Sequence, residues 1–175
     1  MKYIYILAIS FIVVLFIACT ETTNEPKTTL MTLEELKSTP GFEWFSPEFN
    51  DYTPEKDIID QIENLYSPTN HKFYIFANPS CACTGTQKTF PSILKTLVES
   101  GISETNFEIY SIPTALSAQP YEHRFKLSSL PAAFTMRIKG SDTTYYSIID
   151  TLDSVRSANP STNEKIEHFI LHSLQ

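Results

Sequence analysis

Two cysteines separated by one residue, Cys81 and Cys83, stand where an apolar run, Lys72-Phe-Tyr-Ile-Phe-Ala77, gives way to a helix-like stretch from Thr86 to Ser100. The run is apolar enough for a central buried strand, and Asn78-Pro79-Ser80 breaks it just before the first cysteine. A strand that feeds a helix through a cysteine turn points to an α/β chain with its chemistry at that junction. The third cysteine, Cys19, ends a hydrophobic leader, so Cys81 and Cys83 are the thiols left for the folded domain. An exported pair with no other partner is a disulfide, a dithiol or a metal clamp.

The leader sets the redox compartment. Met1-Lys2-Tyr3 is a short positive start, Ile4 to Ile17 is mostly large and apolar, and Phe16-Ile17-Ala18-Cys19 closes the run. That closing tetrapeptide resembles a bacterial lipobox, in which the cysteine receives diacylglycerol before cleavage, although Phe16 stands where leucine is usual. An uncleaved membrane anchor is the other reading. The run is short for a full span of about 20 residues, and polar Thr20-Glu-Thr-Thr-Asn-Glu-Pro26 follows at once. The expected organisation is a lipoprotein signal peptide over 1–18, a flexible tether over 19–30 and one folded domain over 31–175. A lipidated Cys19, carrying diacylglycerol and palmitate, would hold the domain on a membrane of the bacterial cell envelope, outside the cytoplasm, where disulfides persist.

A chain of 175 residues with formal net charge −7 supports one domain with an ordinary core and does not depend on disulfides for stability. It has no run of Lys or Arg, which argues against nucleic acid and against electrostatic docking to anionic lipid. No His-Glu-x-x-His, glycine-rich phosphate loop or Gly-x-Ser-x-Gly motif supports a hydrolase or nucleotide reading.

Leu33 to Lys37 reads as a short helix, and Phe42-Glu-Trp-Phe45 as an aromatic cluster ahead of the Ser46-Pro47 and Tyr52-Thr-Pro54 turns. Thr53 as N-cap with Pro54 at the first helical position opens a helix that places Ile58, Ile59, Ile62, Leu65 and Tyr66 on one face. After the cysteines, Phe90, Ile93, Leu94, Leu97 and Val98 form a buried stripe, with Pro91 as a kink and Gly101 beyond the end. Asn106 to Ser111 alternates as a strand. Pro113 to Lys126 is irregular. Pro131 to Ile138 and Thr143 to Ile148 flank Lys139-Gly140-Ser141-Asp142 as a hairpin, and a Ser161-Thr-Asn-Glu164 capping box opens the last helix.

The order is helix, strand, cysteine turn, helix, strand, connection, Leu130-Pro131, hairpin, helix. With Phe73 to Ala77 leading into Cys81-Ala-Cys83, Pro91 in the next helix and Ser129-Leu130-Pro131 opening the hairpin, the chain resembles the thioredoxin superfamily over about Phe42 to Leu174. The resemblance implies a thioredoxin-like α/β fold, a central mixed sheet flanked by helices. It also implies a cis Leu130-Pro131 bond beside the nucleophile, with Leu130, Pro131 and Thr86 positioning a substrate chain. Two registers are open. Counting from the strand, Cys81 is the attacking thiol and Thr84 takes the resolving position. Counting back from Pro91, Cys83 attacks, Cys83-Thr84-Gly85-Thr86 is a Cys-x-x-Thr motif, and Cys81 resolves. The second is preferred, because the helix fixes where a thiol meets the first-turn N–H groups and the dipole that favour its thiolate.

The motif departs from the family. No Trp precedes it, Thr takes the resolving position in either register, and Tyr74-Ile75-Phe76 offers no buried carboxylate as a proton relay. A bridge between residues two apart is also geometrically tight. The leading expectation is a membrane-anchored thiol-disulfide oxidoreductase without a cofactor or resident metal, acting on an exported protein or a small-molecule disulfide or dithiol. A Cu(I) carrier, with His123 as the histidine placed to join the two thiols, is one alternative. The other is a non-catalytic module with a structural disulfide.

Overall fold

The computed structural model describes residues 27–81 and 83–175, Thr84 by its backbone alone; the leader, Cys19 and Ala82 lie outside the described residues. Among the described residues there are five strands: β1 (Thr29–Met31), β2 (His71–Ala77), β3 (Phe107–Ser111), β4 (Ala132–Lys139) and β5 (Asp142–Ser147). The α-helices are α1 (Leu33–Ser38), α2 (Phe45–Asp51), α3 (Lys56–Leu65), α4 (Thr84–Glu99), α5 (Ile148–Ala158) and α6 (Ile166–Ser173). The strands form one mixed sheet in the order β1-β3-β2-β4-β5. β2 and β3 run parallel, with Ala77 opposite Ser111, and the other three pairings are antiparallel. Among the described residues no helix is long and apolar enough to cross a membrane.

β2 is apolar on both sides because both sides are covered. Side chains alternate across a strand, so Phe73, Ile75 and Ala77 join one core while Tyr74 and Phe76 join another. The first core takes residues from every helix, including Leu36 of α1, Phe45 of α2, Ile62 of α3, Phe90 of α4, Leu152 of α5 and Phe169 of α6. Among the described residues no helix contributes to the second. Tyr121, Phe125 and Leu127 of the irregular connection between β3 and β4 close it against Tyr74, Phe76, Tyr110 and Phe134. The expectation of a sheet flanked by helices is therefore corrected: the described helices lie on one face. The connection carries prolines at 113 and 120 and lacks helical spacing, yet its aromatic residues supply the apolar area that a helix would otherwise bring.

The second core holds a part-buried carboxylate at its margin. Glu108 pairs with Lys72 and accepts hydrogen bonds from the hydroxyls of Tyr110 at 2.6 Å and Tyr121 at 2.8 Å. Burial alone would raise its pKa; the three donors outweigh burial and hold it below the ordinary carboxylate value. The same cluster, burial first and the Glu108 hydrogen bond second, pushes the Tyr121 phenol up to about 12.

Other boundaries differ from the sequence reading. β1 takes in Thr29 and Leu30, assigned above to the tether, by pairing with β3. α1 starts from a capping box between Thr32 and Glu35. α3 starts at Lys56 with Glu55 as N-cap, not Thr53, because the Glu55 N–H is taken by the fully buried carboxylate of Glu167 at 3.1 Å. The other oxygen of that carboxylate accepts the Tyr52 hydroxyl. Burial and this hydrogen bond together push the Tyr52 phenol far above its usual value. Leu65 and Val98, expected on buried stripes, are exposed. α2 and α5 were not anticipated. The Ser161–Glu164 box does not form: Ser161 donates to Asn159 Oδ1 at 2.8 Å, and α6 begins later, at Ile166.

Candidate functional site

Asn78 builds the turn that delivers the first cysteine. Its Oδ1 accepts the Ser80 N–H at 2.8 Å, its carbonyl accepts the Cys81 N–H at 3.2 Å, and its Nδ2 donates to the Pro113 carbonyl at 2.7 Å. This is an Asx turn tied to the chain leaving β3. On the other side the Trp44 indole N–H donates to the Pro79 carbonyl at 3.3 Å. Gly41, at φ +92°, lies so close that a Cβ there would sit 3.1 Å from Pro79 Cβ. A tryptophan thus supports the cysteine turn from the Phe42–Phe45 cluster.

Cys81 and Cys83 are joined as a disulfide, with Cα atoms 5.4 Å apart, inside the usual window of about 4.4–6.8 Å. Cys83 is the N-cap of α4: its backbone is extended, and its carbonyl accepts the Gln87 N–H at 3.1 Å. Its sulfur therefore lies at the positive end of a 16-residue helix. Cys83 is exposed and Cys81 half-buried.

Thr86, in the first turn of α4, is 1% exposed. Its Oγ1 is 2.7 Å from Cys83 Sγ, 3.5 Å from Cys81 Sγ and 3.4 Å from the Leu130 carbonyl. A bridged sulfur carries no proton, so the hydroxyl is the donor to whichever of the three it serves. The Leu130-Pro131 bond is cis, the form anticipated. Ser128, just upstream, donates to Asp150 Oδ1 at 2.7 Å, which pins the segment ahead of Leu130 to the first turn of α5. Cys83, Thr86, Leu130 and Pro131 share the wall of a cavity of about 230 Å³ with Thr89 and Arg156. The five predicted residues of the folded domain, Cys81, Cys83, Thr86, Leu130 and Pro131, therefore meet at one place. Cys19 lies outside the described residues.

Arg156 and Asp153, which also line this cavity, were not anticipated because α5 was not. The available signal was Ile148, Ile149, Leu152 and Val155 at helical spacing, masked by a strand reading that ran through Ile148. His123 does not join the cysteines. It is exposed and accepts a hydrogen bond from Arg124 Nε at 3.2 Å. No group of three His, Cys, Asp or Glu side chains placed to hold a metal is found among the described residues. His168 packs beside Glu55, and His172 is exposed.

No family model, no curated protein and no solved structure matches the chain.

Proposed function

We propose that this chain is a lipid-anchored, thioredoxin-like protein of the bacterial cell envelope that exchanges disulfides through Cys83 and Cys81. One observation carries the reading: the more exposed cysteine of the bridge is the N-cap residue of a long helix, and its sulfur lies 2.7 Å from a buried hydroxyl that also reaches the Leu130 carbonyl. A helix N-terminus and a hydroxyl donor both favour a thiolate. Cys83 meets these conditions better than Cys81, which is half-buried and whose sulfur lies 3.5 Å from the same hydroxyl. That supports the Cys-x-x-Thr register.

In the reduced protein, Cys83 thiolate attacks one sulfur of a substrate disulfide, forms a mixed disulfide and expels the other sulfur as a thiolate, which takes a proton from solvent. Cys81, deprotonated, attacks Cys83 Sγ and releases the second substrate thiol. Two electrons pass to the substrate and the Cys81–Cys83 bond is restored; an external dithiol reduces it again by the same exchange in reverse. Leu130 offers its backbone to the substrate chain alongside. The cysteine-to-serine pair tests this. Cys81→Ser accumulates a mixed disulfide through Cys83, and Cys83→Ser loses turnover of a model peptide disulfide. If both variants reduce that peptide as fast as the unaltered protein, the proposal fails.

A further inference from the structure

The sheet topology places the start of the folded chain and the disulfide at the same end of the molecule. β2 ends at Ala77 and leads to the cysteines; its parallel neighbour β3 ends at Ser111, opposite Ala77. β1 runs antiparallel to β3 with Thr29 opposite Ser111, so the chain enters the domain at the cysteine end. Two strand spacings, about 10 Å, separate that entry from β2. The entering segment is fastened there, since Thr28 Oγ1 donates to the Ala118 carbonyl at 2.6 Å. The Pro113 carbonyl held by Asn78 belongs to the same connection, and the turn that follows it, closed by Ser117 N–H to Thr114 carbonyl at 3.1 Å, carries Leu116 at 96% exposure. The Gly140-Ser141 turn between β4 and β5 lies at the opposite end, because β4 runs antiparallel to β2.

From Cys19 to Lys27 is eight residues, a reach of at most about 26–29 Å. A domain of roughly 150 residues has a radius of gyration of about 15 Å, hence a diameter near 38 Å. With the far end on the lipid, the chain entry would stand higher than that tether reaches. Resting on the lipid anchor and exchange chemistry proposed above, we infer that the Cys81–Cys83 end faces the bilayer, with Leu116 as its most lipid-proximal apolar side chain. The substrate is then a cysteine pair on a membrane protein, held within about 30 Å of the lipid surface. The chain, at formal net charge −7 and without a run of Lys or Arg, has no electrostatic adhesion to anionic lipid, so tether and topology set the orientation.

The test uses the full lipidated chain in phosphatidylethanolamine–phosphatidylglycerol vesicles that carry a headgroup-linked quencher. A fluorescent amino acid replaces Leu116 in one protein and Ser141 in another; both positions are exposed, so folding is not at risk. Position 116 is quenched several-fold more than position 141. Equal quenching, or more at 141, in protein that floats with the vesicles overturns the orientation and leaves the anchor standing. Protein that does not float overturns the anchor. In the second arm a disulfide peptide is offered free or coupled to lipid by a short linker. The lipid-coupled peptide is reduced several-fold faster, and a Gly-Ser spacer of about 30 residues inserted after Thr23 removes the advantage. Equal rates on the two peptides refute the inference, whereas reduction of neither refutes the exchange chemistry itself.

Discussion

Thr86→Val removes one hydroxyl beside Cys83 and leaves the shape of a fully packed side chain nearly unchanged. In the oxidised protein that hydroxyl has three weak or distant acceptors, two bridged sulfurs and the Leu130 carbonyl at 3.4 Å. On reduction, Cys83 thiolate becomes the strongest acceptor in reach. A hydrogen bond to a charged group contributes about 1.5–3 kcal/mol, so its loss lowers the thiolate population at a given pH about ten- to hundredfold. Attack slows less than that, because a more basic thiolate is the better nucleophile, with a Brønsted coefficient of about 0.4–0.5; the net decrease is about three- to sixteenfold. Alkylation of the reduced protein by iodoacetamide, followed across pH with each cysteine read by mass spectrometry, measures it. The Cys83 profile moves to higher pH in Thr86→Val and stays in place in Thr86→Ser, which keeps the hydroxyl. An unmoved Cys83 profile refutes the reasoning. So does a profile that moves at Cys81 instead, since that transfers the nucleophile to the other register.

Three further outcomes follow from the fold. Glu167→Leu strips the acceptor from both the Glu55 N–H and the Tyr52 hydroxyl and lowers unfolding stability by about 2 kcal/mol, since Tyr52 is partly exposed and recovers water; Glu167→Gln loses less, and a leucine variant with an unchanged urea midpoint would show the carboxylate to be dispensable. Gly41→Ala forces an alanine into φ +92° against Pro79, at about 1–2 kcal/mol, and lowers the melting temperature by about 2–8 °C; an equal or higher melting temperature counts against a support role for that contact. Burial, and then the charge of Arg137, hold the His71 imidazole below its ordinary value of 6.5. The unfolded chain therefore takes up the proton first, and the stability that His71 contributes is full above pH 6.5 and is lost as pH falls through the lower folded value. Urea midpoints on either side of that value show the slope, and His71→Gln flattens it; a variant with the same slope as the parent removes His71 as its source.

β2 and α4 were legible because their signals are local and strong: an apolar run of strand length, a proline-marked break, and Phe90, Ile93, Leu94 and Leu97 at helical spacing, all fully buried. The meeting of Leu130-Pro131 with the cysteines is a contact across 44 residues between Thr86 and Leu130, which no local pattern contains; it was accessible through the family likeness of the motif order. Local signals also misled where stronger partners were near. Thr53-Pro54 has the form of a helix start, but the buried Glu167 carboxylate captures the Glu55 N–H and shifts the start two residues on. Ser161-Thr-Asn-Glu164 has the form of a capping box, but its serine serves Asn159 instead. α5 was obscured because Tyr145 and Tyr146 favour a strand and the apolar sequence continues without a break through Ile148 and Ile149.

A sheet with helices on one face and a connection on the other has two unequal shells. The helical shell is held by the six described helices with internal hydrogen-bond ladders, whereas the cover over Tyr74, Phe76 and Phe134 is a single stretch of chain without a ladder of its own, held by aromatic contact, turn hydrogen bonds and isolated side-chain hydrogen bonds through Thr28, Asn78 and Tyr121. Regions of that kind open at lower free energy than the core they cover. Amides between Pro113 and Lys126 then exchange with solvent long before those of α4, and a protease that nicks the connection leaves the helical half intact. The same stretch begins at the Pro113 carbonyl that Asn78 holds, so its openings loosen the turn that delivers Cys81.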